Sequence, residues 1–449
     1  MNGNSALLTD LYQLTMLQGY FHERMYAPAT FELFVRKLPP HRNFLVAAGL
    51  EQLLDFLEGF CFSDDECDWL ASCGRFDSEF INYLRSLRFT GEIDAMPEGT
   101  LFFPDEPILR VTAPLPEAQI IETRVINLLQ FQSMIASKAV RSMLAAPDRL
   151  LVDFGLRRAH GAEAGLLAAR AAYIAGFGGS SNVLACRAFG IPMSGTMAHS
   201  FVMAHDDEGM AFEHFARSQP DNIVLLVDTY DTEKGASEVV RLAPKLEMEG
   251  IAIEAVRLDS GDLGALAFRV REILDAGGLQ STRIFASGDL DEYVLANLVK
   301  DGAPIDGFGI GTRMITSADH PYLNCAYKLE EYAGIPRRKY SDGKATWPGR
   351  KQVYRRRGAD SRMLHDILTL EQDRQKGEAL LIPVMRNGQR TEPAESLEQI
   401  RTRLKMQLQW LPPEYCKLKQ AKTPYRVAIS EVLQNLATTM KEAHYHNEA

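Results

Sequence analysis

Leu150-Leu151-Val152-Asp153-Phe154-Gly155-Leu156-Arg157-Arg158 reads as a short buried strand that stops abruptly in an acid, a glycine and two arginines. An apolar run this short, with no alternation, suits a strand covered on both faces. Gly161–Ala175 follows, rich in alanine, and predicts a helix. The unit then repeats. A second helix is expected over Ser181–Phe189, and a strand over Ile191–Ser194 runs into Gly195-Thr196-Met197-Ala198-His199-Ser200. Ile223–Asp228 ends in Asp228-Thr229-Tyr230-Asp231 and leads to a helix over Thr232–Glu249. Ile253–Leu258 ends in Arg257-Leu258-Asp259-Ser260-Gly261-Asp262, with a helix to Ala276. Arg283–Ser287 ends in Ser287-Gly288-Asp289, with a helix to Lys300, and Ile305–Ile310 ends in Gly309-Ile310-Gly311-Thr312-Arg313. Apolar strands alternating with helices call for a parallel sheet covered on both sides. Right-handed crossovers repeated this often close readily into a barrel, with an open doubly wound sheet as the competing architecture.

The flanks read differently. Residues 1–90 are mainly helical in pattern, with helices expected over Leu7–Gly19, Phe44–Glu58 and Ser78–Leu87. Short strands broken by Pro and Gly follow Gly91, and a long helix, about Glu117–Ala146, leads out of them. After Cys325, Ala326–Tyr332, Arg337–Ser341 and Gln352–Arg356 predict antiparallel strands around a Trp347-Pro348-Gly349 turn, and a final helix is expected over Ala428–Glu442. The expected fold is therefore α/β: an irregular α/β barrel with an additional α+β domain built from the N-terminal and C-terminal segments. Residues 1–125 form the N-terminal part, 126–325 the barrel with the catalytic loops, and 326–449 a C-terminal segment packing back on the N-terminal domain.

Composition narrows the function. Of 449 residues, 46% are hydrophobic and 24% charged, and the formal net charge is −10. An acidic chain has no overall attraction to phosphate backbones or anionic lipid, so neither nucleic acid nor a membrane is an expected partner. No signal peptide opens the chain and no apolar run reaches membrane-spanning length, which predicts a cytoplasmic protein. Cys61, Cys67 and Cys73 are separated by five intervening residues, which is not a zinc spacing, and read as reduced thiols. No protein metal site is expected.

All six strand ends carry Asp, Arg, His, Ser or Thr at the same end, where barrel enzymes place their chemistry. Arg157 and Arg257 supply forked donors for carboxylate or phosphate. Gly309-Ile310-Gly311-Thr312 lets backbone N–H groups and a hydroxyl approach a phosphate. Asp259 and Asp289 suit sugar hydroxyls and a developing positive charge. Together these describe a sugar phosphate that becomes cationic at its anomeric carbon. On local pattern alone, His199 is also an ordinary helix-capping turn residue, Tyr12 a core residue, and Asp228 and Asp231 supporting or capping acids. Gly307-Phe308-Gly309-Ile310-Gly311 lacks the spacing of a dinucleotide loop, and Arg355-Arg356-Arg357 reads as a solvated edge.

The ordered set Thr9-Asp10-Leu11-Tyr12-Gln13, Asp153-Phe154-Gly155-Leu156-Arg157-Arg158, Gly195-Thr196-Met197-Ala198-His199-Ser200, Arg257-Leu258-Asp259-Ser260-Gly261-Asp262, Ser287-Gly288-Asp289-Leu290, Phe308-Gly309-Ile310-Gly311-Thr312 and Pro348-Gly349-Arg350-Lys351-Gln352-Val353 resembles the nicotinate phosphoribosyltransferase family of type II phosphoribosyltransferases. The resemblance implies transfer of a phosphoribosyl group from phosphoribosyl pyrophosphate to nicotinate, with ATP hydrolysis coupled through a phosphorylated histidine. That histidine is implied to be His199, with Asp259 and Asp289 also catalytic. Tyr12, donated from a neighbouring subunit of a homodimer, and Phe154 are implied to stack on the pyridine, with Arg157, Ser181, Thr196 and Arg257 around it. Arg257, Asp259, Gly288 and Asp289 are implied at the phosphoribosyl group, and Gly311 and Thr312 at its 5-phosphate. Mg²⁺ is implied on the pyrophosphate or ATP, in a pyridine-nucleotide salvage pathway leading to NAD. The amide-using relatives place an acid where Ser181 stands, which would repel a substrate carboxylate, so nicotinate is expected over nicotinamide. The alternatives are nicotinamide or quinolinate phosphoribosyltransferase, or a non-catalytic phosphosugar-binding barrel that regulates a partner.

Overall fold

The six strand ends belong, with one exception, to a single parallel sheet. The computed structural model describes residues 5–341 and 343–448, with side chains through residue 443. The chain forms two compact units, residues 138–321 and residues 1–137 with 322–449.

In the first of these, β1 (Leu150–Asp153), β2 (Gly179–Ser180), β3 (Val224–Leu226), β4 (Ala255–Leu258), β5 (Arg283–Ser287) and β6 (Gly307–Ile310) hydrogen-bond in the order β2-β1-β6-β5-β4-β3. Every ladder is parallel. Leu151, Val152, Leu225, Leu226, Val256, Ile284 and Phe308 are at most 1% exposed, which accounts for the unbroken apolar runs. Helices Ala162–Ala175, Thr232–Met248, Leu263–Ala276 and Glu292–Lys300 return the chain between strands.

The aspartates after the strands divide into two sets. Asp231, Asp262 and Asp291 accept backbone N–H groups at the starts of the next helices, each cap contributing about 1 kcal/mol. Asp228, Asp259 and Asp289, two or three residues earlier in each pair, carry no such cap and lie nearer the strand ends.

The barrel expectation needs correcting. Where a strand over Ile191–Ser194 was expected, only Met193 pairs, through one parallel bridge to Ser180. Nothing among the described residues joins that segment to β3, so the sheet is an open half-barrel with β2 and β3 as edges. Pro192 has no N–H to donate to a ladder, and the chain then turns off at Gly195.

The second unit holds a seven-stranded antiparallel sheet in the order Ile335–Pro336, Cys325–Tyr332, Pro28–Val35, Pro107–Pro114, Glu92–Ala95, Ile382–Arg386 and Gln389–Arg390. A four-stranded sheet is built on Lys351–Arg357 and Met363–Leu370. The helical reading of residues 1–90 therefore missed Pro28–Val35, which is buried at every position after Pro28. A strand covered on both faces lacks the two-residue alternation that would have betrayed it. Arg337–Ser341 is not a strand: Arg337 N–H bonds the Glu330 carbonyl at 2.8 Å and Arg338 reaches the Thr346 and Ala437 carbonyls. Nor is Arg355 solvated. It is 1% exposed and pairs with Asp366 at 2.6 Å, satisfied further by Gln407 and the Leu101 carbonyl.

Candidate active site

At the carboxyl ends of β1, β2 and β4 lies a cleft of about 600 Å³. Phe154, Arg157, Ser181, Thr196, His199, Arg257 and Asp259, all singled out from the sequence, line it together with Met193, Asn222 and others. Phe154 and Asp259, 105 positions apart in the chain, line one cleft because most of its residues lie at or just after the end of a parallel strand or of the bridged segment at Met193.

Glycine makes two of these positions possible. A Cβ on Gly309 of β6 would come 2.4 Å from the Phe154 ring, so the bare backbone of β6 is what admits that ring. Gly288 has φ near +100°, and a Cβ there would meet the Asp259 carbonyl at 2.0 Å. The β4 and β5 ends are thereby brought into backbone contact.

Charges are arranged around Asp259. Its backbone N–H donates to Asp228 Oδ2 at 2.9 Å, as does the Ser260 hydroxyl at 2.7 Å. The Ser287 hydroxyl donates to Asp259 Oδ1, leaving Oδ2 3.8 Å from His199 Nε2. His199 opens a short helix, His199–Met203, and its Nδ1 lies 3.1 Å from Thr229 Oγ1. Arg257 donates to the Thr196 hydroxyl, while its buried Nε has no hydrogen-bond partner among the described residues. Burial pulls the Arg257 guanidinium down from its ordinary range; Asp259 and Asp228 oppose that and Arg157 adds to it. The cleft wall therefore carries a partly desolvated cation, one of whose N–H donors is buried without a partner among the described residues.

The remaining expected residues fall outside the lining. Gly311 and Thr312 start a four-residue helical turn after β6, and a Cβ on Gly311 would lie 3.1 Å from the Phe154 carbonyl. Asp289 is 70% exposed and grips Arg313 bidentately at 2.9 and 3.1 Å, which holds its carboxyl below the usual range. Tyr12 belongs to the other unit, on helix Leu11–His22, with its ring 48% exposed. Thr229, Ser287 and Ser180 were missed from the sequence, because a hydroxyl that hydrogen-bonds across strands leaves no spacing signal. Among the described residues no group of three or more His, Cys, Asp or Glu side chains can hold a metal ion, and no helix is long and apolar enough to cross a membrane. All six cysteines are free thiols.

A parallel half-barrel whose strand ends converge on a cleft lined by Arg157, Arg257 and Asp259 is an arrangement suited to a small anionic ligand. Comparison with known proteins gives the family. The models for the nicotinate phosphoribosyltransferase N-terminal domain, family and C-terminal domain match residues 7–130, 150–335 and 374–437. Nicotinate phosphoribosyltransferase pncB2 of Mycobacterium tuberculosis is 47% identical over 95% of this chain and 92% of its own. The Homo sapiens nicotinate phosphoribosyltransferase is 33% identical over 97% and 96%. The crystal structure of human nicotinic acid phosphoribosyltransferase superposes with a TM-score of 0.87 at 32% identity, covering 96% of this chain and 99% of that one. A nicotinate-nucleotide pyrophosphorylase from Pyrococcus furiosus gives a TM-score of 0.75 at 27% identity, over 91% and 96%. The chain belongs to the nicotinate phosphoribosyltransferase family.

Proposed function

We propose that the cleft joins nicotinate to phosphoribosyl pyrophosphate, releasing nicotinate mononucleotide and pyrophosphate as a step of NAD biosynthesis, with ATP hydrolysis coupled through a phosphorylated His199. One observation carries the reading: Arg257, partly desolvated and with one N–H unpartnered among the described residues, lines the same cleft as Asp259, Arg157 and Phe154. An anionic aromatic substrate and a sugar that turns cationic use opposite ends of such a pair.

In the reaction the C1–O bond to pyrophosphate breaks with its electron pair leaving on oxygen, and the pyridine nitrogen supplies the pair for the new C1–N bond. The ribose is oxocarbenium-like between these events, and the Asp259 carboxylate lowers the barrier by its charge. The Ser287 hydroxyl holds that carboxylate at Oδ1, and Asp228 holds the Asp259 backbone through its N–H. Arg157 and Arg257 take the carboxylate and phosphate oxygens. Phe154 offers a ring face to the pyridine, with Tyr12 of a second subunit on the other face in a homodimer. Gly311 and Thr312 receive the 5-phosphate. Asp289 takes part by releasing Arg313 in favour of the ribose.

Asp259 on the cleft wall, together with the substrate phosphates, would hold a Mg²⁺ ion, which would supply charge neutralisation to the pyrophosphate leaving group. Phosphorylation of His199 adds about 1.5 to 2 negative charges beside Asp259 and thereby reorganises the Gly195–Ser200 turn.

Incubation with nicotinate and phosphoribosyl pyrophosphate is expected to release pyrophosphate, faster with ATP, and γ-labelled ATP is expected to mark His199. Absence of nicotinate-dependent release would end the reading and favour a regulatory phosphosugar-binding protein. An unlabelled His199 would remove the coupling step alone.

Ser181 bears on the acceptor. Its hydroxyl stands at the cleft wall without adding charge, whereas an acid there would face a substrate carboxylate across a partly dry site. Ser181→Asp is expected to lower nicotinate affinity about tenfold or more, with a partial gain for nicotinamide. Steady-state competition between the two acceptors measures this, and unchanged selectivity would separate Ser181 from acceptor choice.

A further inference from the structure

Asp153 is the last residue of β1 and is 1% exposed, yet it does not line the cleft. Its neighbours do. Oδ1 accepts the Gly155 backbone N–H at 2.8 Å, at the start of the turn that presents Leu156 and Arg157. Oδ2 accepts the Ser180 hydroxyl at 2.7 Å, and the Asp153 carbonyl accepts the Ser181 N–H at 2.9 Å. Ser180 Oγ accepts in turn from the Asn182 N–H at 3.0 Å, and the Asn182 side chain caps helix Val183–Phe189. One buried side chain therefore ties together the two loops that carry Arg157 and Ser181.

We infer that Asp153 is a positioning residue for the pyridine-carboxylate subsite, setting the separation of Arg157 and Ser181 and with it the preference for nicotinate over the amide. This rests on the reading in which those two residues flank the substrate carboxylate. The chemistry calls for an acid. One donor comes from the turn that follows β1 and one from β2, and a carboxylate offers an acceptor to each. Asparagine has one oxygen and would turn its NH₂ toward the second donor. Burial raises the Asp153 carboxyl from its ordinary value, while the Ser180 and Gly155 hydrogen bonds oppose the rise. Both oxygens are occupied beneath the floor, so the acid underlies an anion subsite without presenting an oxygen to it.

The test is steady-state kinetics on the whole protein with each substrate varied in turn. Ser180→Ala removes one donor and leaves the Gly155 contact; nicotinate KM is expected to rise about tenfold, with kcat and the KM for phosphoribosyl pyrophosphate within about twofold. Asp153→Asn unties both loops and is expected to raise nicotinate KM about 100-fold while eroding discrimination against nicotinamide. Ser180→Thr keeps the hydroxyl and is expected to restore most of the affinity. A merely structural role would lower the melting temperature with nicotinate KM unchanged, or move both KM values together, and either result overturns the inference. If Asp153→Asn does not fold, Ser180→Ala with its threonine counterpart decides. Normal turnover with unchanged nicotinate KM in the variants overturns this inference alone, whereas no nicotinate turnover in the unsubstituted protein takes down the parent reading and this one with it.

Discussion

Arg257→Ala is expected to lower kcat/KM for nicotinate about 100- to 1,000-fold while leaving the melting temperature unchanged or slightly raised. The two effects diverge for one reason. Arg257 is held in a partly desolvated place, its pKa pulled down by burial, with one N–H lacking any partner among the described residues. A charge kept so costs folding energy, and alanine removes that cost. In the proposed complex the substrate anion faces the guanidinium, so the arginine contributes to activity only when the cleft is filled. Arg257→Lys retains the charge but not the fork, and is expected to recover a minor part of the loss. Kinetics together with thermal melting check this. A variant that is destabilised yet catalytically normal would assign Arg257 to the fold instead of the site.

The second large effect is expected at Asp259. Asp259→Asn preserves shape and can still accept from Ser287, but it removes the charge facing the reacting carbon. A fall in kcat of about 100- to 1,000-fold is expected. Nicotinate KM should stay within about threefold, since an interaction confined to the transition state moves kcat and not ground-state binding. Single-turnover measurement of nucleotide formation isolates the step. A rise in KM with kcat preserved would make Asp259 a ribose-binding residue without an electrostatic role. Both substitutions lie within one network, so their effects are not expected to add. Asp228 braces Asp259 and Ser260, and its other oxygen is buried without a partner among the described residues.

The site was far more legible than the flanks. Strand runs such as Leu150–Asp153 and Gly307–Ile310 are buried on both faces and end in polar residues, and that contrast survives in one dimension. Asp228 and Asp231 were read together as supporting or capping acids, and the structure separates them: Asp231 caps a helix, as Asp262 and Asp291 do, while Asp228 receives the Asp259 N–H and the Ser260 hydroxyl. Pro28–Val35 escaped because a strand in the middle of a covered sheet has no alternating pattern. Arg355 was misread for a related reason: three consecutive arginines look solvated until Asp366, brought alongside by an antiparallel strand, buries one of them. Asp289, expected beside the sugar, is held by Arg313, a partner whose side-chain direction no spacing could have announced.

By itself the sequence determined the residue types at the strand ends, their order and the alternation that stacks those ends on one side of a parallel sheet. These follow from local burial and from chain connectivity, both of which leave a linear trace. Only the tertiary structure decided which polar groups satisfy one another: Ser287 on Asp259, Thr229 on His199, Ser180 on Asp153, Arg313 on Asp289, and Arg257 with a donor to spare. It likewise decided that the sheet stays open between the Met193 bridge and Val224–Leu226. Hydrogen-bond pairing across strands depends on distances of a few tenths of an ångström between residues far apart in the chain, and such distances have no counterpart in residue order.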